Sequence, residues 1–215
     1  MSSADHETES IQTVLTGRSA EKNRAIVVAA EDLFLTKGFE AVSMDEIADR
    51  AGVSKRTVYS HFGSKEDMFV ALLESKCGAV RENVVKTADD EAPIDETLVS
   101  FGIAFLAMIF NEESLKLFRI LAAQSYNFPD LGRRFYEAGP NRSVEAMATY
   151  LKGQAERGVI RVSDPKLAAG TLVSSMLNKR LTACLLQAAP IPDAAEREAL
   201  ARNAVSTFLD GVRAG

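Results

Sequence analysis

The sequence predicts an all-α protein: a small N-terminal three-helix head built around a helix-turn-helix, joined to a larger helical body. Three observations predict it. Apolar residues recur at three- and four-residue spacing over most of the 215 residues, and no alternating segment of useful strand length occurs. Caps and glycine stops cut the early part of the chain into short helices separated by tight turns. An acidic, proline-containing run, Asp89-Asp90-Glu91-Ala92-Pro93, then divides this part from longer helical patterns, since charge and proline together disfavour continued helix.

The elements follow in order. Met1 to Thr16 is polar and acidic, with no basic start leading into an apolar core, so no secretory signal is read there and residues 1–19 are expected to be a flexible tail. From Glu21 to Lys37, Ile26, Ala29, Ala30, Leu33 and Phe34 keep helical spacing, and Gly38 stands where a left-handed stop belongs. Ser43-Met44-Asp45-Glu46 is a capping box, and Val42 with Ile47 forms a hydrophobic staple across it. The second helix is short because Gly52 ends it; Ser54 then caps a third, with Val53 and Val58 as its staple. Ser64 opens a longer helix through Met68, Leu72 and Leu73 that ends before Asp89.

Beyond Ile94, helical patterns occupy roughly 94–110, 113–125, 130–157, 165–187 and 193–212, with Asn127-Phe128-Pro129, Gly158 and Pro190-Ile191-Pro192 between them. Gly139-Pro140 predicts a bend inside the third of these, because proline lacks the donor and crowds the preceding turn. The expected organisation is a tail over 1–19, a head over 20–80 and a body over 81–215.

Composition narrows the function. With 47% hydrophobic and 26% charged residues the chain can bury a full core. Cys77 and Cys184 lie in no metal or disulfide pattern, which fits a reducing cytoplasm; in apolar helical surroundings they read as structural rather than as a redox signal. The longest apolar stretch, Ile103 to Phe110, falls far short of the roughly 20 residues that cross a bilayer, so no membrane role is expected. Catalytic serine, zinc, phosphate-loop and dinucleotide motifs are missing; the chain is expected to be no enzyme and to need no cofactor or metal.

The net charge of −5 argues against nucleic acid taken alone, and residues 20–80 carry eight Lys and Arg against ten Asp and Glu. Placement reverses that reading. Between Asp49 and Glu66 no acidic residue occurs, while Arg50, Lys55, Arg56 and Lys65 do. In Ser43 to Phe62, SMDEIADRAGVSKRTVYSHF, Ala48 is small where two helices cross, Gly52 makes the turn, and Val58 and Phe62 share the inner face of the second helix. Arg56 and Ser60 then point outward, flanked by Thr57 and Tyr59, all hydrogen-bonding side chains suited to base edges and phosphates. A helix-loop-helix that merely packs shares this spacing.

Residues 20–80 closely resemble the DNA-binding head of the TetR family, through Ala30-Glu31-Asp32-Leu33-Phe34, Lys37-Gly38-Phe39, Met44 to Val53 and Thr57 to Glu66. The resemblance implies a regulator, released as a repressor from a palindromic operator by a small lipophilic ligand, with its third helix in the major groove of double-stranded DNA. It assigns Arg56 and Thr57 to bases, Lys55, Tyr59, His61 and Lys65 to phosphates, and places the Ser43 cap near the backbone, with Ser60 on the same face. Many family members have glycine where this chain has Arg56, which is open to both a bidentate guanine contact and a phosphate contact. His61 and Tyr59 also fit as packed core side chains.

The resemblance further implies a homodimer held by the last two helices, whose apolar stripes run through Leu167, Leu172, Val173, Met176, Leu177, Leu181 and Leu185, then Leu200, Val205, Phe208 and Leu209. A monomer core uses such stripes equally well. It also implies an effector cavity in the body, for which Phe105, Met108, Phe118, Tyr126, Phe135, Met147 and Met176 are the candidates; helical core packing competes for each of them. Ligand identity, operator sequence and regulatory sign are not encoded locally. A helical interaction module and a thiol-responsive regulator remain the alternatives.

Overall fold

The computed structural model describes the backbone of residues 3–87 and 92–213 and the side chains of residues 20–76 and 92–213. The side chain of Cys77 and the run Asp89–Glu91 lie outside the described residues. Two compact units emerge, Met1–Leu72 and Leu73–Gly215.

The first unit holds α1 (Ser3–Lys37), α2 (Met44–Ala51), α3 (Lys55–His61) and the start of α4 (Lys65–Thr87). Helix α1 begins far ahead of the Glu21 start expected from sequence and takes in most of the segment read as a tail. Polarity alone does not break a helix: residues 3–20 contain no proline, and their single glycine, Gly17, costs only about 1 kcal/mol relative to alanine. The core of this unit is aromatic. Phe34 stacks on Phe39 at 5.6 Å between ring centroids and meets Phe69 edge-on at 5.2 Å. Ile26, Ala30, Ile47, Ala48, Val58 and Met68 are fully buried with them. The division between the two units falls inside α4, between Leu72 and Leu73.

The second unit contains α5 (Ile94–Ile109), α6 (Glu112–Asn127), α7 (Pro129–Tyr136), α8 (Arg142–Glu156), α9 (Pro165–Leu185) and α10 (Ala194–Val212). Asn111, Asp164 and Asp193 cap α6, α9 and α10 with side-chain oxygens, the last in a full capping box with Glu196. The bend expected at Gly139-Pro140 is a π-helical turn, Glu137–Asn141, which absorbs the missing proline donor without ending the helical path. No named strand occurs among the described residues, and an isolated bridge joins Ile160 to Arg213.

Helices α5 and α10 approach closely at Gly102, where an added Cβ would lie 2.9 Å from that of Ala201 and 3.0 Å from the Met176 methyl. Around this contact Leu98, Phe101, Leu106, Leu151, Leu172 and Val205 form the core. Helix α9 is broken at Asn178, whose φ of 47° and ψ of −164° leave the helical region. A non-glycine residue held there is strained by about 1 kcal/mol or more.

Candidate nucleic-acid interface

The register of α2 and α3 is set by their caps. Ser43 Oγ accepts from Glu46 N at 3.2 Å, starting α2 as the capping box predicts. The Glu46 carboxylate is drawn to the Lys37 ammonium; that hydrogen bond outweighs the opposing effect of burial and, with the Lys37 charge and the Ser43 backbone adding to it, holds the carboxyl below the usual carboxylate range. Gly52 closes α2 in the left-handed conformation, φ 66°, which a side chain with a Cβ rarely adopts, and Val53 N returns to Ala48 O at 3.1 Å. Ser54 Oγ then accepts from Thr57 N at 3.1 Å to start α3.

With the register so fixed, Val58 and Phe62 are buried while Lys55, Arg56, Tyr59 and Ser60 are exposed, as the spacing requires. Arg56 is without an ion-pair partner among the described residues. Tyr59 is 52% exposed, which sets aside its reading as a core aromatic. His61 is half-buried, its ring 6.2 Å from that of Phe62. Thr57 is half-buried and its hydroxyl lies 2.8 Å from that of Ser54. Ser60 Oγ donates to Thr57 O at 2.8 Å.

Sequence reading missed the counter-charges. Lys55 Nζ donates to Asp45 at 2.6 Å, and this hydrogen bond, followed by the Asp45 charge, raises the lysine above its ordinary pKa. Arg50 pairs with Asp32 at 2.6 Å. Both pairs join residues on different elements, which no helical periodicity reveals. Their exposed positions make them weak.

Lys65, expected on phosphate, has partners within the head. Its ammonium donates to the backbone carbonyls of Phe39 at 2.8 Å and Glu40 at 3.3 Å, and sits 4.5 Å above the centre of the Phe39 ring. It ties the turn after α1 to the start of α4. Lys65→Met is therefore expected to lower head stability by about 1 kcal/mol while leaving the dependence of DNA affinity on salt unchanged. Lys55→Met should do the opposite, making the slope of log K against log salt shallower by about 0.9. Thermal melts and binding titrations at several salt concentrations check both; a shallower slope for Lys65→Met would return it to the phosphate set.

In the second unit the aromatic and methionine candidates separate into three groups. Met108, Phe118 and Phe135 line one apolar cavity of about 60 Å³. Phe118 and Phe135 meet edge-on there at 6.3 Å. Phe105, Met147 and Met176 belong instead to the core, Phe105 stacking on Phe101 at 5.6 Å. Tyr126 is 89% exposed near the end of α6 and lines no part of this cavity, because its position turns it away from the packed face of that helix. Sequence reading also missed Leu73 and Lys76 from α4, Ser114 and Leu117 from α6, and Leu181 from α9. Only the convergence of five helices, α4, α5, α6, α7 and α9, separates these from ordinary core and surface positions.

The expected dimer stripes divide too. Leu172, Met176, Val205 and Leu209 are spent on the core. Val173, Leu177, Leu200 and Phe208 are half-buried, and Leu167 is 68% exposed. Cys184 is buried, with Sγ 3.4 Å from Pro190 O, a structural placement rather than a reactive one. Among the described residues no single helix is long and apolar enough to cross a membrane.

Residues 26–72 match the family profile of bacterial regulatory proteins of the tetR family, and residues 96–211 match that of the AefR-like transcriptional repressor C-terminal domain. A solved structure of a TetR-family transcriptional regulator from Mesorhizobium loti is 32% identical, covers 92% of this chain and 99% of its own, and superposes with a TM-score of 0.81. The flavonoid-responsive regulator FrrA is 30% identical over 90% of this chain and 98% of its own, with a TM-score of 0.74. The transcriptional activator FasR of Mycolicibacterium smegmatis is 35% identical over 85 residues, which span 38% of this chain and 39% of FasR.

Proposed function

Because this chain belongs to the TetR family of DNA-binding transcriptional regulators, and is no enzyme, we propose that it is a homodimeric repressor released from a palindromic operator by a small lipophilic effector. The observation that carries the DNA-reading part is the outward face of α3, where Arg56 stands exposed and without an ion-pair partner among the described residues while Val58 is fully buried behind it. Arg56 and Thr57 read base edges; Lys55, Tyr59 and His61 meet phosphates, with the Ser43 cap near the backbone and Ser60 on the same face.

Repression is supported by the AefR-like repressor profile of the body, whereas the likeness to the activator FasR covers only part of both chains. Dimerisation through α9 and α10 uses the apolar side chains the core leaves over, chiefly Leu167, Val173, Leu177 and Phe208, and two identical heads match a two-fold operator. The effector occupies the cavity lined by Met108, Phe118 and Phe135, and FrrA, itself responsive to flavonoids, supports a ring-containing molecule. Sixty cubic ångströms is well below the roughly 300 Å³ of a drug-sized site, so binding must displace a wall. Leu73 and Lys76 of that wall lie on α4, the helix that also carries Met68 and Phe69 of the head core. Differential affinity for the two arrangements is worth about 1–3 kcal/mol, or roughly 5–150-fold in DNA affinity.

Selection of operators from a random duplex library by the purified protein, with light scattering of the same sample, tests this reading. A palindromic consensus bound by a particle of dimer mass is expected. Salt-sensitive background binding without any enriched sequence would leave a helical interaction module as the better description, and a monomer mass at micromolar concentration would end the dimer proposal.

A further inference from the structure

We propose that Asp45 is a specificity-determining residue of the head: by holding Lys55 it keeps that lysine off the phosphates of random duplex and releases it only on the operator, where α3 is seated. This rests on the head being the DNA-reading module. The two carboxylates in the first turn of α2, where the helix dipole favours negative charge, each reach a cation on another helix, Glu46 to Lys37 of α1 and Asp45 to Lys55 of α3. Lys55 stands at the opposite disadvantage. It is the first residue of α3, a helix whose opening turn carries no acidic side chain to balance its free backbone donors. Asp45 supplies that carboxylate from outside the helix, its Oδ2 accepting from Lys55 Nζ at 2.6 Å, and Asp49, one turn further along α2, adds a smaller attraction.

The fold of the head keeps Asp45 within reach of Lys55 at all times, so the carboxylate acts as a tethered partner at high effective concentration. A phosphate competes only when it is held equally close. On random sequence the head is drawn by phosphate charge alone and α3 meets the duplex in many registers, so no phosphate stays beside Lys55 and the pair remains closed. On the operator, base contacts by Arg56 fix α3 in one register, and a phosphate fixed beside Lys55 opens an exposed pair that is worth little in water. The charge balance of the head points the same way. Residues 20–80 carry eight Lys and Arg against ten Asp and Glu, so the head gains little from random DNA, and the pair withholds one more cation from it.

Titrations of the full chain at several salt concentrations test the proposal, against the operator selected from the library and against a random-sequence duplex of equal length. Asp45→Asn, which keeps the size of the side chain, is expected to bind random duplex several-fold more tightly, with the slope of log K against log salt steeper by about 0.9. The slope on the operator should stay as it is, so preference for the operator falls. Lys55→Met approaches the pair from the other side: the operator slope should become shallower, the random-duplex slope should not change, and adding Asp45→Asn to it should steepen neither. Equal steepening on both duplexes, no steepening on either, a shallower random-duplex slope in Lys55→Met, or a steepening by Asp45→Asn that survives Lys55→Met would overturn the role of Asp45. Absence of any operator preference in the unaltered protein would overturn the DNA-reading function together with it.

Discussion

Phe34→Ala is expected to cost the head about 3–5 kcal/mol. Phe34 is fully buried and contacts both other rings of the aromatic cluster, Phe39 at 5.6 Å and Phe69 at 5.2 Å. Its removal leaves a ring-sized cavity between α1 and the start of α4, and it also takes away the surface against which Phe39 places the Lys65 carbonyl anchors. A domain of this size commonly has only about 5–15 kcal/mol of stability in total. Operator binding should therefore vanish at 37 °C, while far-UV circular dichroism keeps the larger, body-derived share of its helical signal. Near-normal operator affinity in this variant would mean that the aromatic cluster is not what holds the reading helix in place.

Arg56→Ala is expected to reduce operator affinity by about 1–3 kcal/mol, on the order of 10–100-fold, and to erase the preference at one base pair of each half-site. The reason is its freedom: Lys55 is tied to Asp45 and Arg50 to Asp32, whereas the Arg56 guanidinium is exposed and uncommitted among the described residues. Removing it breaks no ion pair among the described residues, so stability should change by less than about 0.5 kcal/mol. Titrations against the selected operator and its single-base variants check this. A loss that is uniform across all variants, with a salt slope shallower by about 0.9, would place Arg56 on phosphate instead.

The legible part of the site was the part fixed by near neighbours in the chain. Ser43, Gly52 and Ser54 set the ends of two helices through bonds spanning three to five residues, and the burial of Val58 and Phe62 follows from one turn of helix. The proline-induced irregularity at Pro140 was equally local. The same kind of reasoning failed at the N-terminus, where acidity and polarity suggested a tail although nothing in the composition stops a helix from running back to Ser3.

Contacts between distant residues could not be read that way. Lys65 looked like a phosphate ligand from its charge and position, and its bonds to Phe39 and Glu40 appear only when α4 folds beside the turn after α1. Tyr126, Phe105 and Met147 looked alike as pocket candidates, yet one is exposed and two are core. Lys76 and Ser114 carried no pattern that set them apart.

By itself, then, the sequence determined the all-helical class, the caps, the breaks and the outward face of α3, because hydrogen bonds within one or two turns and a 3.6-residue period fix these before any long-range contact forms. Only the tertiary structure decided which apolar side chains fill the core and which line the cavity, and which cations are already paired. Those outcomes depend on where separate helices converge, and an apolar or charged residue reads the same in the chain whatever it comes to face.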